Sequence, residues 1–214
     1  FIFNNQNNRN QRHFNYLRVD LESSGNALYS INEIAGTHKS DSGYYRIFGV
    51  RYSQYFRINI DFRYYFYFKN KTNSLVWRLL LGAGVPYGNS DELPYEKGFY
   101  AGGANDMRGW IFKSLGPGDY SGNSPYEKIG DIQIEGNLEY RFPIYSFFKG
   151  ALFTDIGNIW TYERSTTFPG GQFYFNKFYK QLAVDAGVGF RFDFQILIFR
   201  IDVAVPLKNP EIGR

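Results

Sequence analysis

Between Tyr55 and Lys69 the chain alternates without a break. Phe56, Ile58, Ile60, Phe62, Tyr64, Phe66 and Phe68 fall on one side of an extended backbone, and Tyr55, Arg57, Asn59, Asp61, Arg63, Tyr65, Tyr67 and Lys69 on the other. Successive side chains of a strand point to opposite faces, so a run of this length specifies a long strand with one apolar and one polar face. The design recurs. Residues 130–143 set Ile132, Ile134, Leu138, Tyr140 and Phe142 against Asp131, Gln133, Glu135, Asn137, Glu139 and Arg141, with Gly136 the gap in the apolar row. Residues 181–194 oppose Val184, Val188, Phe190 and Phe192 to Asp185, Arg191 and Asp193; residues 196–207 oppose Phe199, Ile201, Val203 and Val205 to Arg200 and Asp202. Residues 14–22, 74–85 and 147–160 read as strands less cleanly, the last with Asp155 and Gly157 on one face. Seven antiparallel strands are expected, and no segment carries a convincing helical period.

The connections alternate in length. Residues 69–73, residues 144–146 and the junction near Gln195 read as tight turns, whereas 23–45, 87–128 and 163–180 are long and rich in Gly, Ser, Asn and Tyr. Short turns at one end and long loops at the other are the habit of outer-membrane barrels, and loops this long are uncommon unless they serve a function. Aromatic content points the same way: 19 Tyr, 22 Phe and 3 Trp make 21% of the chain, yet no stretch approaches the ~20 apolar residues of a membrane helix. Two architectures satisfy this pattern. In a soluble sandwich the apolar faces pack together; in a membrane barrel they meet lipid while the polar faces line a lumen. Strands long enough for a tilted crossing of about 9–11 residues, with Tyr55, Phe68, Tyr145, Phe147, Trp160 and Tyr162 near strand ends as an interfacial girdle, favour the barrel.

Several chemistries are set aside on the residues. A net charge of +4 with both signs interspersed makes a poor nucleic-acid surface. No cysteine is present, and His13 and His38 lack neighbours at metal-ligand spacing, so no metal or cofactor is expected. "GAGVPYG" (82–88) has no following helix to meet a phosphate and reads as a strand end with small inward residues. No Gly-x-Ser-x-Gly elbow occurs. Glu139 and Asp155 could form a glycosidase-like acid pair, but a nearby arginine makes an ion pair the better reading. The sequon at 70–72 is explained by a turn.

The longest loop contains "GGANDMRGW" (102–110), and it is followed in order by "LFTDIGNIW", "DAGVGFRFDF" and "FRIDVAVPL". This series resembles the C-terminal barrel of the BamA/TamA family of outer-membrane assembly proteins; "LPYEKGFYAGG" and "SLGPGDY" around the loop look closest to the TamA-like branch. The resemblance implies an all-β fold, about seven strands of a sixteen-stranded transmembrane antiparallel β-barrel, with a long extracellular loop folded into the lumen. It identifies Gly102, Gly103, Met107, Arg108, Gly109 and Trp110 as a loop latch motif. Arg108 would contact Glu139 of "NLEYRFP" and Asp155 of "FTDIG", with Gly157 as supporting motif. A guanidinium suits that role, since it presents a planar fork and does not deprotonate.

The implied function is assembly, insertion or translocation of proteins at the bacterial outer membrane, without covalent catalysis. The implied partners are lipid and lipopolysaccharide, nascent outer-membrane proteins as clients, and accessory subunits of an assembly machinery or a TamB-like periplasmic protein, with no nucleic acid. Residues 1–214 would be the C-terminal part of the barrel, with POTRA domains, the first barrel half and a final strand outside it. Two other readings stay open within or near the superfamily: a two-partner secretion transporter, and a passive porin or structural barrel. A soluble sugar-binding sandwich is the least favoured.

Overall fold

A computed structural model describes residues 1–6, 12–68, 72–122, 127–194 and 196–212. Its main feature is one eight-stranded antiparallel sheet. Long strands β2 (His13–Ser24), β5 (Tyr55–Tyr67), β6 (Ser74–Pro86), β7 (Ile132–Tyr145), β8 (Phe148–Trp160), β9 (Ala183–Asp193) and β10 (Ile198–Lys208) follow one another in chain order, preceded by the short β1 (Ile2–Asn4). The seven expected strands are these long ones. β1, three residues paired with Tyr16–Arg18 of β2, is too short for a period to register in sequence.

A two-stranded hairpin, β3 (Arg46–Ile47) with β4 (Val50–Arg51), and a nine-residue helix, α1 (Asn26–Ile34), lie in the connection between β2 and β5. The helix corrects the expectation that none would form. Leu28, Ile31 and Ile34 do recur at helical spacing, but α1 buries no residue, so it lacks the broad apolar face by which helices are read.

Long connections (25–54, 87–131 and 161–182) all leave from one end of the sheet. At the other end, β7 turns into β8 through Ser146 and Phe147, with Tyr145 still paired to Phe148 and Ser146 at φ 47°. The expected turn therefore lies one residue later than 144–146. Lys69–Lys71, most of the expected 69–73 turn and part of the sequon, and Gln195 of the last junction lie outside the described residues.

Burial runs opposite to that of a soluble domain. Asp155 and Asp185 are 0% exposed and Glu135 1%, whereas Leu152 and Val203 on the other face are 51% and 58% exposed. No second sheet covers the apolar face among the described residues: the only other sheet is the four-residue hairpin β3–β4. The polar face is covered instead by residues of the connection between β6 and β7. Phe99, Ala101, Met107 and Leu115 of that loop form a small core with Ile159 and Ala183 of the sheet, and Trp110 packs against it. Gly82 and Gly84 of β6 make this possible, because a Cβ on either would collide with the Phe99 ring or the Leu93 side chain of the loop. That is the physical content of the small inward residues in "GAGVPYG".

The aromatic belt is narrower than expected. Phe68, Tyr145, Phe147 and Tyr162 are exposed at strand ends, but Tyr55 and Trp160 are buried. Tyr55 has inward parity and donates its hydroxyl to Glu22 Oε1 at 2.7 Å. Trp160 is capped by Phe173 and Phe178 of the 161–182 connection and donates Nε1–H to Gln181 at 2.8 Å.

Candidate functional site

Strand register assembles a polar row across this face. Arg63 of β5 pairs with Arg78 of β6, Arg78 with Asn137 of β7, Asn137 with Asp155 of β8, and Asp155 with Asp185 of β9. One end of the row is basic and the other acidic. Two aspartates directly opposite in a sheet repel, and burying them without a counter-charge is costly. The loop supplies one.

Arg108 is inserted at the acidic end. Its Nε–H and one Nη2–H donate to the two oxygens of Asp155, each at 2.8 Å, forming a bidentate fork. Its Nη1–H donates to Glu139 Oε2 at 2.6 Å. The Arg108 backbone N–H also reaches Asp155 Oδ2 at 3.2 Å, and the guanidinium lies 3.4 Å from the centre of the Phe153 ring. Burial alone would lower the pKa of this guanidinium, but the hydrogen bonds and charges of Asp155 and Glu139 outweigh it and hold it above its ordinary value. Arg108 is therefore a permanent cation here.

The remaining motif residues shape the turn that delivers it. Gly102 and Gly103 take φ 107° and 113°, a region that glycine enters freely. A Cβ on Gly102 would also run into the carbonyl oxygen of Ile111. The Gly103 N–H donates to Trp110 O at 3.0 Å and the Trp110 N–H to Met107 O at 3.1 Å, closing the segment on itself. Met107 is fully buried in the loop core. Gly109 lies where a side chain cannot: a Cβ would come within 2.7 Å of the Asp185 Cβ, and the Gly109 N–H donates to Asp185 Oδ2 at 2.7 Å. Gly157 sits opposite Glu135, and a Cβ there would fall 3.0 Å from the Glu135 Cα.

The structure thus brings Arg108, Glu139 and Asp155 together. It adds residues that the sequence did not single out as partners. Asp185 accepts from the Gly109 backbone. Asn137 donates to Asp155 Oδ1 at 3.0 Å and to the Asp106 carbonyl at 3.2 Å. Arg191 links Glu139 (3.2 Å) to Asp202 (2.5 Å), and Arg141 donates to Glu139 at 2.7 Å. At the loop tip, Arg78 donates to Asn105 O at 3.0 Å, and Arg200 of β10 donates to Ala104 O and to Asn105 Oδ1. The loop therefore ties together strands from β6 to β10. With three guanidiniums around Glu139 and a bidentate fork on Asp155, the geometry suits holding the loop against the sheet.

Among solved structures, the fold resembles that of BamA from Haemophilus ducreyi lacking POTRA domains 1–3, with a TM-score of 0.56 and 15% sequence identity. The match covers 92% of this chain and 48% of that one, so the chain spans about half the length of the BamA structure. The Omp85 superfamily domain matches residues 4–213, and the chain belongs to the Omp85 superfamily.

Proposed function

We propose that this chain is the C-terminal part of a bacterial outer-membrane barrel that assembles, inserts or translocates other proteins, and that Arg108 latches its loop to the inner wall. The inverted burial supports the reading most directly: acids are buried on the polar face while Leu152 and Val203 stand exposed on the apolar one. Such a sheet is stable with hydrocarbon outside and an enclosed polar interior. The partners follow from that setting: outer-membrane lipid with lipopolysaccharide around the barrel, and nascent outer-membrane proteins as clients. No covalent bond is made or broken. The barrel would lower the cost of insertion by offering strand-edge hydrogen bonds to an incoming strand and by perturbing the bilayer around it. The latch would keep the wall from β7 to β10 in one arrangement while this happens.

The test reconstitutes the full-length protein in lipid vesicles and follows protease protection of an unfolded outer-membrane barrel client. The protein is expected to accelerate client insertion. Arg108→Ala is expected to lose most of that acceleration, because removing one partner of a buried ion pair costs about 3–5 kcal/mol. Arg108→Lys should recover only part, since an ammonium cannot reproduce the fork. Steady ion conduction with no acceleration of insertion would replace this reading with a passive pore. Full activity of Arg108→Ala would remove the latch.

A further inference from the structure

The acidic end of the polar row receives a cation from the loop; the basic end receives nothing comparable. Arg63 and Arg78 grip one carboxylate between them. Arg63 donates to Asp61 at 3.0 and 2.7 Å, and Arg78 donates to the same two oxygens at 3.1 Å each. Glu135 also stands 3.7 Å from Arg78, so the positive excess at this end comes from adding Arg57 to that pair. Arg57, on the same face of β5 four residues before Asp61, gives its Nε–H to the Lys97 carbonyl at 2.9 Å and lies 4.2 Å from the Phe99 ring centre; its other guanidinium N–H groups have no partner among the described residues. The loop residues facing them include Gly102, Gly103, Ala104 and Asn105, which carry no charge, and one acid, Asp106.

Between them lies a cavity of about 460 Å³, lined by Arg57, Arg63 and Arg78, by Arg18, which is paired with Asp20 at 2.8 Å, and by the acids Asp61 and Asp106. Asp106 contributes little negative charge. It is buried and interacts with Glu135, and both effects push its carboxyl well above the usual carboxylate range. Tyr100 and Phe112, in edge contact at 4.8 Å, form an aromatic flank of the same space.

We propose that this cavity binds a phosphate-bearing anion, held by the N–H groups of Arg57 and Arg63 that the Lys97 carbonyl and Asp61 leave unused, with Arg78 adding charge behind them. A phosphate dianion accepts several planar N–H pairs at once and matches an excess of guanidinium over carboxylate. The volume admits a pyrophosphate or a sugar phosphate, with the rings of Tyr100 and Phe112 beside the non-ionic part. Both a soluble phosphate compound and a phosphorylated glycolipid headgroup carry this chemistry. The site lies on β5 and β6, apart from Arg108, and its occupancy is read without reference to client insertion.

The experiment titrates inorganic pyrophosphate into the full-length protein in neutral detergent micelles, by calorimetry, at ionic strength held constant with chloride. Saturable binding is expected. Arg57→Gln and Arg63→Gln should each weaken it about tenfold or more, the worth of a charged hydrogen-bonded contact, and Arg57→Lys should fall between. Retained resistance of the folded band to unheated SDS electrophoresis shows that each variant is intact. Repeating the titration with a phosphorylated glycolipid in the micelle assigns the source: competition points to the headgroup, and undiminished pyrophosphate binding points to a soluble anion. Pyrophosphate binding no better than chloride to the unaltered protein, or equal binding by the unaltered protein and both glutamine variants, overturns the site.

Discussion

Arg108 shares the acids around it with three other guanidiniums, Arg141, Arg191 and Arg200. Around it stand Glu139, Asp155, Asp185 and, at 3.8 Å, Asp202, with Asp106 and Glu135 beyond. Asp106, two residues before it on the loop, is where the cost of burying an acid in this network should be measurable. Its carboxyl is pushed up first by burial, then by the hydrogen bond and charge of Glu135; Arg78 and the Met107 backbone N–H pull the other way without prevailing. The sign follows. The docked loop holds the Asp106 proton more tightly than the free loop does, so this contribution to docking is complete below the ordinary value of 3.8 and is lost progressively as pH rises toward the raised one. The emission of Trp110, isolated by difference against Trp110→Phe, should shift toward that of exposed indole as pH rises, and Asp106→Asn should flatten the response. A response of equal size in Asp106→Asn would assign it to another group. The contact of Arg108 with Glu139 and Asp155 was expected from the resemblance of the motifs, and parity, which puts both acids on polar faces of neighbouring strands, agrees with it. The role of Asp185 was not, since its donor is the Gly109 backbone, which has no side-chain signature. Nor was Asp106, whose burial depends on how the loop folds back.

At the scale of single elements, legibility tracks length. Strands of eleven to fourteen residues such as β7 and β9 carry enough alternation to fix both their existence and their inward face. The three-residue β1 and the nine-residue α1 do not, and what stabilises them lies elsewhere in the chain: β1 in its pairing with β2, α1 in polar contacts such as Asn32 with Tyr52 and Gln54 with Asn26. Trp160 shows the complementary failure. Its position at a strand end reads as girdle, but Phe173 and Phe178, thirteen and eighteen residues on, fold over it. Parity makes a quantitative expectation for β8. Leu152 points outward opposite Val188 of β9 and is half-exposed. Leu152→Arg should destabilise the full-length protein in bilayers by about 2–4 kcal/mol if it sits near the midplane, as measured by reversible denaturant unfolding in lipid vesicles. Ile111→Arg, on an exposed loop residue, should change stability by no more than about 0.5 kcal/mol. Equal small effects at both positions would mean that the apolar face does not meet hydrocarbon.

For the molecule as a whole, the sheet and the loop place opposite demands on the surroundings. The loop closes the polar face from one end, and the ion network fastens it from β6 to β10. The sheet itself remains open, with β1 and β10 at its two edges. On β10 one row of backbone N–H and C=O groups is bonded to β9, and the other meets no strand among the described residues. In water such an edge invites pairing with another chain; in hydrocarbon each unpaired group costs several kcal/mol, so a spanning sheet must close on itself. A full barrel therefore needs further strands to meet both edges, in keeping with a match that covers 48% of the BamA chain. These 214 residues, expressed and refolded by themselves in detergent, should not yield a monodisperse folded monomer. Size-exclusion chromatography should show oligomers or aggregates, and unheated SDS electrophoresis should show no compact band, whereas the full-length protein gives both a monomer and a compact band. A stable compact monomer from the 214 residues alone would mean that the edges are satisfied within them, and the barrel-closing strands would have to be given up.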